Sequence, residues 1–469
     1  MYEDFNRILD AYRDQMKKDL EELIRIPSVL DLESASEGAP FGKGVQDALD
    51  WIIGKASAMG FETKNYDGYA VSATWGDQGE AVGILGHIDV VPPGEGWATD
   101  PFVPVVEDGK MYGRGTIDDK GPMLAALYAV KAVSESGLPV KNHIRYIAGG
   151  DEETGHRCIH HYLEKEAQPA RGFSPDGLFP VIHAEKGILR FQAEREFTAD
   201  EEPDVRLKSV RAGTVVNAVP DEATAVLGGE SGRLMQIEAQ FKEYEEKRGR
   251  KDNCAIQGEE LVLIFTGVSA HAMQPWEGEN AILPLLDFLS RAMSPDSEKG
   301  RFVRTLHRLF GDSWDGAAMG IVCEDALSGK LSMNLGILNL DEDSCEFKVD
   351  VRAPVHIDLD VLWRTIRLTF EKYGMSPEYW QKRPALYVPK EDPLVCKLSD
   401  VFEETTGMDG TPIVIGGGTY CRDVQNFVSF GPVFPGEAEM AHQANEYIDL
   451  ERFYQIAKIY AQAIYELVR

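Results

Sequence analysis

Cysteine is scarce and dispersed: six thiols among 469 residues (Cys158, Cys254, Cys323, Cys345, Cys396, Cys421), with no two close together. That spacing argues against a disulfide framework and against a zinc site built on thiolates, and a reducing cytoplasm suits it best. Also missing is any apolar run approaching the ~18 residues of a membrane span. The opening stretch, Met1 to Glu22, mixes acids and bases throughout, so an unprocessed, soluble chain is expected. Bases are outnumbered, 48 Lys and Arg against 78 Asp and Glu, for a net charge of −30. Such a field repels phosphate backbones and anionic lipid, so neither nucleic acid nor a membrane is an expected partner. Some of those carboxylates are free to hold cations instead. Neither a Walker lysine pattern nor an HExxH helix occurs.

The length is ample for two cores, and the texture changes twice along the chain. Apolar residues from Phe5 to Ile24 recur at steps of three or four, predicting an amphipathic helix over Glu3 to Ile26, and Gln46 to Met59 repeats the pattern before Gly60. Ala81 to Val91 and Ile144 to Ala148 are short apolar runs bounded by Gly and Pro, which predicts buried strands; Gly121 to Ser136 between them predicts a helix. Strands alternating with helices indicate an α/β sheet. From about Gly187 the pattern becomes alternating strands (Leu189 to Glu196, Glu260 to Thr266, Ser344 to Val351) with helices Ala281 to Ala292 and Leu359 to Tyr373, an α+β insertion. Lys242 to Asp252 is read as a solvated helix end and loop. After about Pro384 the α/β texture returns, with helix Leu394 to Thr406, strand Thr411 to Ile415 and a closing helix Leu450 to Val468. The expected layout is a catalytic domain in two parts, 1–186 and 385–469, around a lid, 187–384.

Five segments carry chemistry. His87-Ile88-Asp89 ends a predicted buried strand, where open α/β sheets place ligands, and its His and Asp share one face. Asp118-Asp119 precedes a helix, so the pair reads as caps or as ligands. Asp151-Glu152-Glu153 follows the second strand; three adjacent acids repel one another unless water or a cation compensates. Ser174-Pro175-Asp176-Gly177 has turn chemistry, and His442 precedes the last helix. Carboxylates and imidazoles without thiolates are what a hydrolytic pair of divalent metals uses, one carboxylate bridging and a spare one deprotonating the water between the ions. Glu152-Glu153 offers both a ligand and a spare.

In order, His87-Ile88-Asp89, Gly113-Arg114-Gly115-Thr116-Ile117-Asp118-Asp119-Lys120-Gly121, Asp151-Glu152-Glu153-Thr154-Gly155, Ser174-Pro175-Asp176 and His442 resemble the co-catalytic metallopeptidase family of aminoacylases, carnosinases and succinyl-diaminopimelate desuccinylases. Within it the chain looks most like the PepV-like dipeptidases, nearly end to end. The resemblance implies a zinc-exopeptidase-like α/β catalytic domain with an inserted, enlarged α+β lid. It implies two divalent ions, zinc first and manganese or cobalt as substitutes: Asp118 bridges, His87 and Asp176 complete one shell, Glu153 and His442 the other. Glu152 is then the general base, Asp89 orients His87, and the Asp118-Asp119 peptide is cis. Unblocked dipeptides are the implied substrates.

In dimeric relatives the partner's lid supplies a histidine; a lid this long supplies its own, His271 in Ser269-Ala270-His271, to stabilise the oxyanion, so a monomer is expected. Arg352 and Asn217 match the family's contacts to the substrate, with Arg352 gripping the C-terminal carboxylate, and the amides of Gly416-Gly417-Gly418 are a third anchor. The same fold serves N-acyl amino acid amidohydrolases, which are the nearest alternative function. A distant one, an NAD-dependent oxidoreductase, rests on Gly416-x-Gly418 as the start of a dinucleotide fingerprint, although position 421 is Cys rather than Gly. The filled ligand and base positions argue against a metal-dead binding relative.

Overall fold

In the computed structural model, which describes residues 2–198, 204–250 and 252–469, the apolar segment beginning at Ala81 is extended only over Ala81–His87, not to Val91. The neighbouring strand explains the stop: His87 pairs with Gly149, that strand's last residue, and the chain then leaves the sheet with Ile88 N–H bonded to Gly149 O at 2.9 Å. Around this strand a nine-stranded sheet runs in the spatial order Glu62–Tyr66, Ala70–Trp75, His143–Gly149, Ala81–His87, Arg171–Ser174, Phe427–Ser429, Ile182–Glu185, Leu386–Tyr387, with Ile413–Ile415 paired to Ile182–Glu185. Its centre, from His143–Gly149 to Phe427–Ser429, is parallel. Central parallel strands are covered on both faces, hence their continuous apolar runs.

Helices Tyr2–Ile24, Lys120–Glu135, Pro393–Thr406 and Leu450–Val468 pack on one another, and Lys43–Ala58 and Arg157–Lys165 pack on the strands at the sheet's antiparallel edge. Helix Lys120–Glu135 is apolar almost all round and nearly wholly buried. It approaches the sheet closely at Gly86, where a Cβ would collide with the Asp119 carboxylate and the Met123 sulfur.

Two compact units emerge: residues 1–184, 386–414 and 418–469 form the α/β unit, and residues 185–385 with 415–417 form the second. The expected layout put Ile415–Gly417 in the catalytic part; backbone contacts explain the difference, since Ile415 O accepts from Lys186 N and Gly416 O from Arg352. The second unit is an α+β insertion around an eight-stranded antiparallel sheet, ordered Asn253–Gln257, Glu260–Thr266, Glu222–Gly229, Val205–Ala212, Ser332–Leu340, Ser344–Ala353, Gly187–Glu196, Glu378–Arg383. Helices Ser231–Arg248, Ile282–Ala292, Glu298–Phe310 and Leu359–Glu371 contribute apolar faces to its core. The charged stretch from Lys242 lies mostly on the first of these helices and is not wholly solvated, because Tyr244 and Glu245 are buried; Lys251 lies outside the described residues. All six cysteines are free, and among the described residues no helix is long and apolar enough to cross a membrane.

Candidate functional site

Three adjacent parallel strands deliver the site by ending side by side. His87 closes the middle one, Asp151–Glu153 follow the strand ending at Gly149, and Asp176 follows the strand ending at Ser174. This is the carboxyl edge of an open α/β sheet, where ligands bind. Asp118 stands just before helix Lys120–Glu135, joined to Asp119 by a cis peptide. His442 comes from the loop before the last helix, with a left-handed backbone (φ 64°) unusual for a residue other than glycine.

The side chains of His87, Asp118, Glu152, Glu153, Asp176 and His442 gather in one cluster. The two oxygens of Asp118 face different histidines: Oδ1 lies 3.0 Å from His87 Nε2, and Oδ2 lies 3.1 Å from His442 Nε2. On the first side Asp176 Oδ2 is 3.8 Å from His87 Nε2; on the second, Glu153 Oε2 is 3.0 Å from His442 Nε2. His87 is fully buried, whereas His442 is 57% exposed, which leaves the cluster accessible from the loop side.

Charge in this cluster is unbalanced. Burial, followed by the charge of Asp118, pushes Glu153 up to about 7, and the same two causes raise Asp176 well above the usual carboxylate range. Hydrogen bonds that the charged His442 ring donates to Asp118 and Glu153 raise it to about 11. For His87, burial disfavours the charged ring, but Asp118 and Asp89 outweigh it and its pKa rises. The cluster thus attracts positive charge. Two overlapping sets, His87 with Glu152 and Asp176, and His87 with Asp118 and Glu153, offer ligand atoms within 4.8 Å of one another. These sets leave out His442, whose ring stands as close to Asp118 (3.1 Å) as that of His87 does (3.0 Å). An all-oxygen-and-nitrogen donor set around crowded carboxylates fits divalent ions of the zinc, manganese or cobalt type.

Neighbouring groups fix these side chains. Asp89 meets the His87 ring at Nδ1 through its backbone carbonyl at 3.0 Å, with its carboxylate 3.5 Å from the same nitrogen. That carboxylate accepts the backbone N–H groups of Glu152 (3.2 Å) and Glu153 (3.1 Å), tying their loop to the His87 strand. Asp119 makes no side-chain cap and accepts the His87 backbone N–H at 3.2 Å. Glu446, fully buried, accepts from Arg114 (2.6 Å) and from the backbone N–H groups of Ile117 (2.9 Å) and Asp118 (3.3 Å), so it holds the loop carrying Asp118. Glu152 Oε1 lies 3.2 Å from His156 Nε2. Burial alone would raise the Glu152 pKa, but His156 brings it below the usual value. No role was assigned from sequence to His156, Arg114 or Glu446, although all three lie in or beside the motifs.

Asn217, His271, Arg352, Gly416 and Gly417 belong to the second unit, which brings most of them together; Gly418 belongs to the first. Ala218 bridges His271, and Asn217 O accepts Ala272 N–H at 2.8 Å. Ser332, the register partner of Arg352, bonds Ala272 O at 3.3 Å. Arg352 is buried; its Nε and second terminal nitrogen bond Asp350 at 2.6 and 3.0 Å, and its remaining terminal nitrogen bonds Gly416 O at 2.8 Å. A Cβ on Gly416 would press into Met273 at 2.7 Å. Asp350, which also accepts from Arg190 at 2.7 Å, went unread in the sequence although it stands two positions before Arg352 on the same strand face. The glycine run does not open a nucleotide-binding helix: a four-residue 3-10 turn, Tyr420–Asp423, follows it, so the dinucleotide alternative fails.

Residues 83–466 match Peptidase family M20/M25/M40. "Putative dipeptidase YtjP" of Bacillus subtilis (strain 168) is 39% identical over 461 residues, covering 97% of this chain and 98% of that protein. Among solved structures, the di-peptidase Dug1p from Saccharomyces cerevisiae superposes with a TM-score of 0.60 at 17% identity, covering 99% of this chain and 98% of that one. Aminoacylhistidine dipeptidase from Vibrio alginolyticus gives 0.59 at 14% identity, covering 97% and 96%. At these identities the structural likeness is one of fold.

Proposed function

The chain belongs to Peptidase family M20/M25/M40, and from that premise we propose that it is a metal-dependent dipeptidase acting on unblocked dipeptides. The observation that carries this reading is the division of the Asp118 carboxylate between two histidines, at 3.0 and 3.1 Å, each with a further carboxylate beside it. Such a carboxylate suits a pair of ions: His87 and Asp176 would hold one, Glu153 and His442 the other, and Asp118 would serve both. Zinc fits this donor set first, and manganese or cobalt can replace it. Divalent ions bound there supply Lewis-acid polarisation of the scissile carbonyl and lower the pKa of water.

Glu152 is the general base. It is anchored on the same loop as Glu153 and held in its ionised form by His156, so it is ready to take the proton of the attacking water and hand it to the leaving amine. His271 steadies the developing oxyanion, Arg352 and the Gly416–Gly418 amides receive the substrate's C-terminal carboxylate, and Asn217 is a further contact to the substrate. Asp350 offsets the buried charge of Arg352 and fixes its planar fork, leaving N–H groups on the terminal nitrogens for a second carboxylate. The catalytic domain corresponds to the unit 1–184, 386–414 and 418–469 and the lid to the unit 185–385 with 415–417, and the enzyme works as a cytoplasmic monomer.

The test is hydrolysis of a panel by the purified protein with added zinc or manganese: Ala-Leu, β-Ala-His, a tripeptide and N-acetyl-Leu, each with a chelator control. Chelator-sensitive cleavage of the dipeptides alone is the expected result. Cleavage of N-acetyl-Leu in their place would transfer the function to N-acyl amino acid hydrolysis.

A further inference from the structure

Glu152 sits in a turn, and its backbone is held by Asp89, but the backbone bond does not aim the carboxylate. A base works best when its carboxylate is held in one orientation, and a partner on one oxygen aims the other. The ring of His156 occupies it. His156 is buried, with a left-handed backbone (φ 56°), at the residue before helix Arg157–Lys165. Its N–H bonds Asp151 O at 2.7 Å, which folds the Asp151–His156 turn back on itself and carries the ring over Glu152. There Nε2 lies 3.2 Å from Glu152 Oε1, and Nδ1 lies 2.5 Å from Asp423 Oδ2. Asp423 comes from the 3-10 turn Tyr420–Asp423, 267 residues away, and also meets His160 Nε2 at 3.2 Å. The Tyr420 ring meets the His156 ring edge-on, with centroids 4.9 Å apart. The imidazole is therefore gripped on three sides, and two carboxylates, one per ring nitrogen, flank it.

The geometry points to His156 as a positioning residue for the base: locked by Asp423 and Tyr420, it holds Glu152 Oε1 and turns Oε2 toward the reacting water. The inference rests on the reading of Glu152 as base. A cap for the helix is a role the ring does not perform, since it makes no side-chain cap hydrogen bond.

Three variants test it in the metal-loaded enzyme on Ala-Leu, with metal content measured for each. His156→Phe keeps an aromatic ring against Tyr420 and removes both hydrogen bonds; kcat should fall about 10- to 100-fold, with KM and metal content unchanged. His156→Gln returns an N–H donor near the Nε2 position and should recover most of that loss. Asp423→Asn should lower kcat less than His156→Phe, again without moving KM. A purely structural role for the ring would appear as lost metal or raised KM, with Gln no better than Phe, and would overturn the inference. An unchanged kcat in His156→Phe would do so as well. Should His156→Phe fail to fold, the other two decide: a kcat loss in Asp423→Asn with an active His156→Gln supports the positioning role, and wild-type kcat in both refutes it. Glu152→Gln, run alongside, separates the two readings. If it retains turnover, the base assignment itself fails; if it is inactive while His156→Phe keeps the wild-type kcat, only the positioning role fails.

Discussion

The buried pair Arg114–Glu446 sets up an asymmetric prediction. Both side chains are essentially inaccessible, 1% and 0% exposed, and Glu446 is simultaneously the acceptor for the amides leading to Asp118. Glu446→Ala strands a buried guanidinium that cannot lose its proton, a change that costs about 3–5 kcal/mol. Arg114→Met strands a carboxylate instead, and a carboxylate can become neutral. Burial, then the charge of Asp118, already raises its pKa, and the protonated group still accepts the Ile117 and Asp118 amides through its carbonyl oxygen. The expected cost is about 1–3 kcal/mol, that of a lost charge-assisted hydrogen bond. It also depends on pH. In this variant the folded pKa of Glu446 stands further above its unfolded value of ~4.3, so the folded state binds the extra proton and Arg114→Met gains stability as pH falls through that window. Urea unfolding followed by tryptophan fluorescence at pH 7 and pH 5.5 measures both costs. Chelator competition on the same samples should show Glu446→Ala holding its ions about 10- to 100-fold more weakly, because the Asp118 loop has lost its anchor. An Arg114→Met variant less stable than Glu446→Ala at neutral pH would refute the reasoning, as would a Glu446→Ala variant with undiminished stability and metal affinity.

Further outcomes follow from the site and the second unit. Glu152→Gln should keep its metal and lose turnover by several orders of magnitude in kcat, read by metal analysis beside peptide hydrolysis; retained activity would remove Glu152 as base. Arg352→Ala should impair free-carboxylate dipeptides more than their C-terminal amides, and equal loss on both would place the carboxylate anchor elsewhere. Asp325 is held at about 2: burial would raise it, but backbone N–H groups of His356 and Ser328 outweigh that. Its stabilising contribution, roughly 1 kcal/mol once solvent screening is allowed for, is present above pH ~4 and is lost as pH falls toward 2. The stability deficit of Asp325→Asn, read from melting curves, should therefore shrink across that range, and a constant deficit would contradict the assignment.

Much of this was legible because it is local. Ala81–His87 and His143–Gly149 are short apolar runs whose ends are marked by glycine, proline or acids, and the acids stand where those strands stop. Helix Leu450–Val468 announces itself by apolar spacing, and Asp449 caps it. What escaped is what depends on distance along the chain. Asp423 reaches His156 across 267 residues and Glu446 reaches Arg114 across 332, and neither contact leaves a periodic trace in sequence. His156 follows Glu152 by four positions, a spacing that suggests neighbours on a helix, yet the two meet through a left-handed turn. Asp350 read as one more alternating strand residue until its pairing with Arg352 and Arg190 was visible. Ile415–Gly417 were assigned by their place in the chain, whereas their backbone bonds to Lys186 and Arg352 put them in the second unit.

The central claim is a shared-carboxylate centre for two divalent ions that drives dipeptide hydrolysis. Its most direct test is to strip the protein with chelator, add zinc in steps, and follow bound metal per chain together with Ala-Leu turnover. The account predicts that turnover is absent in the stripped protein and reaches its full value as the second equivalent binds, and that Asp118→Asn never recovers it. Full turnover without added metal, or in the Asp118→Asn variant, would contradict it.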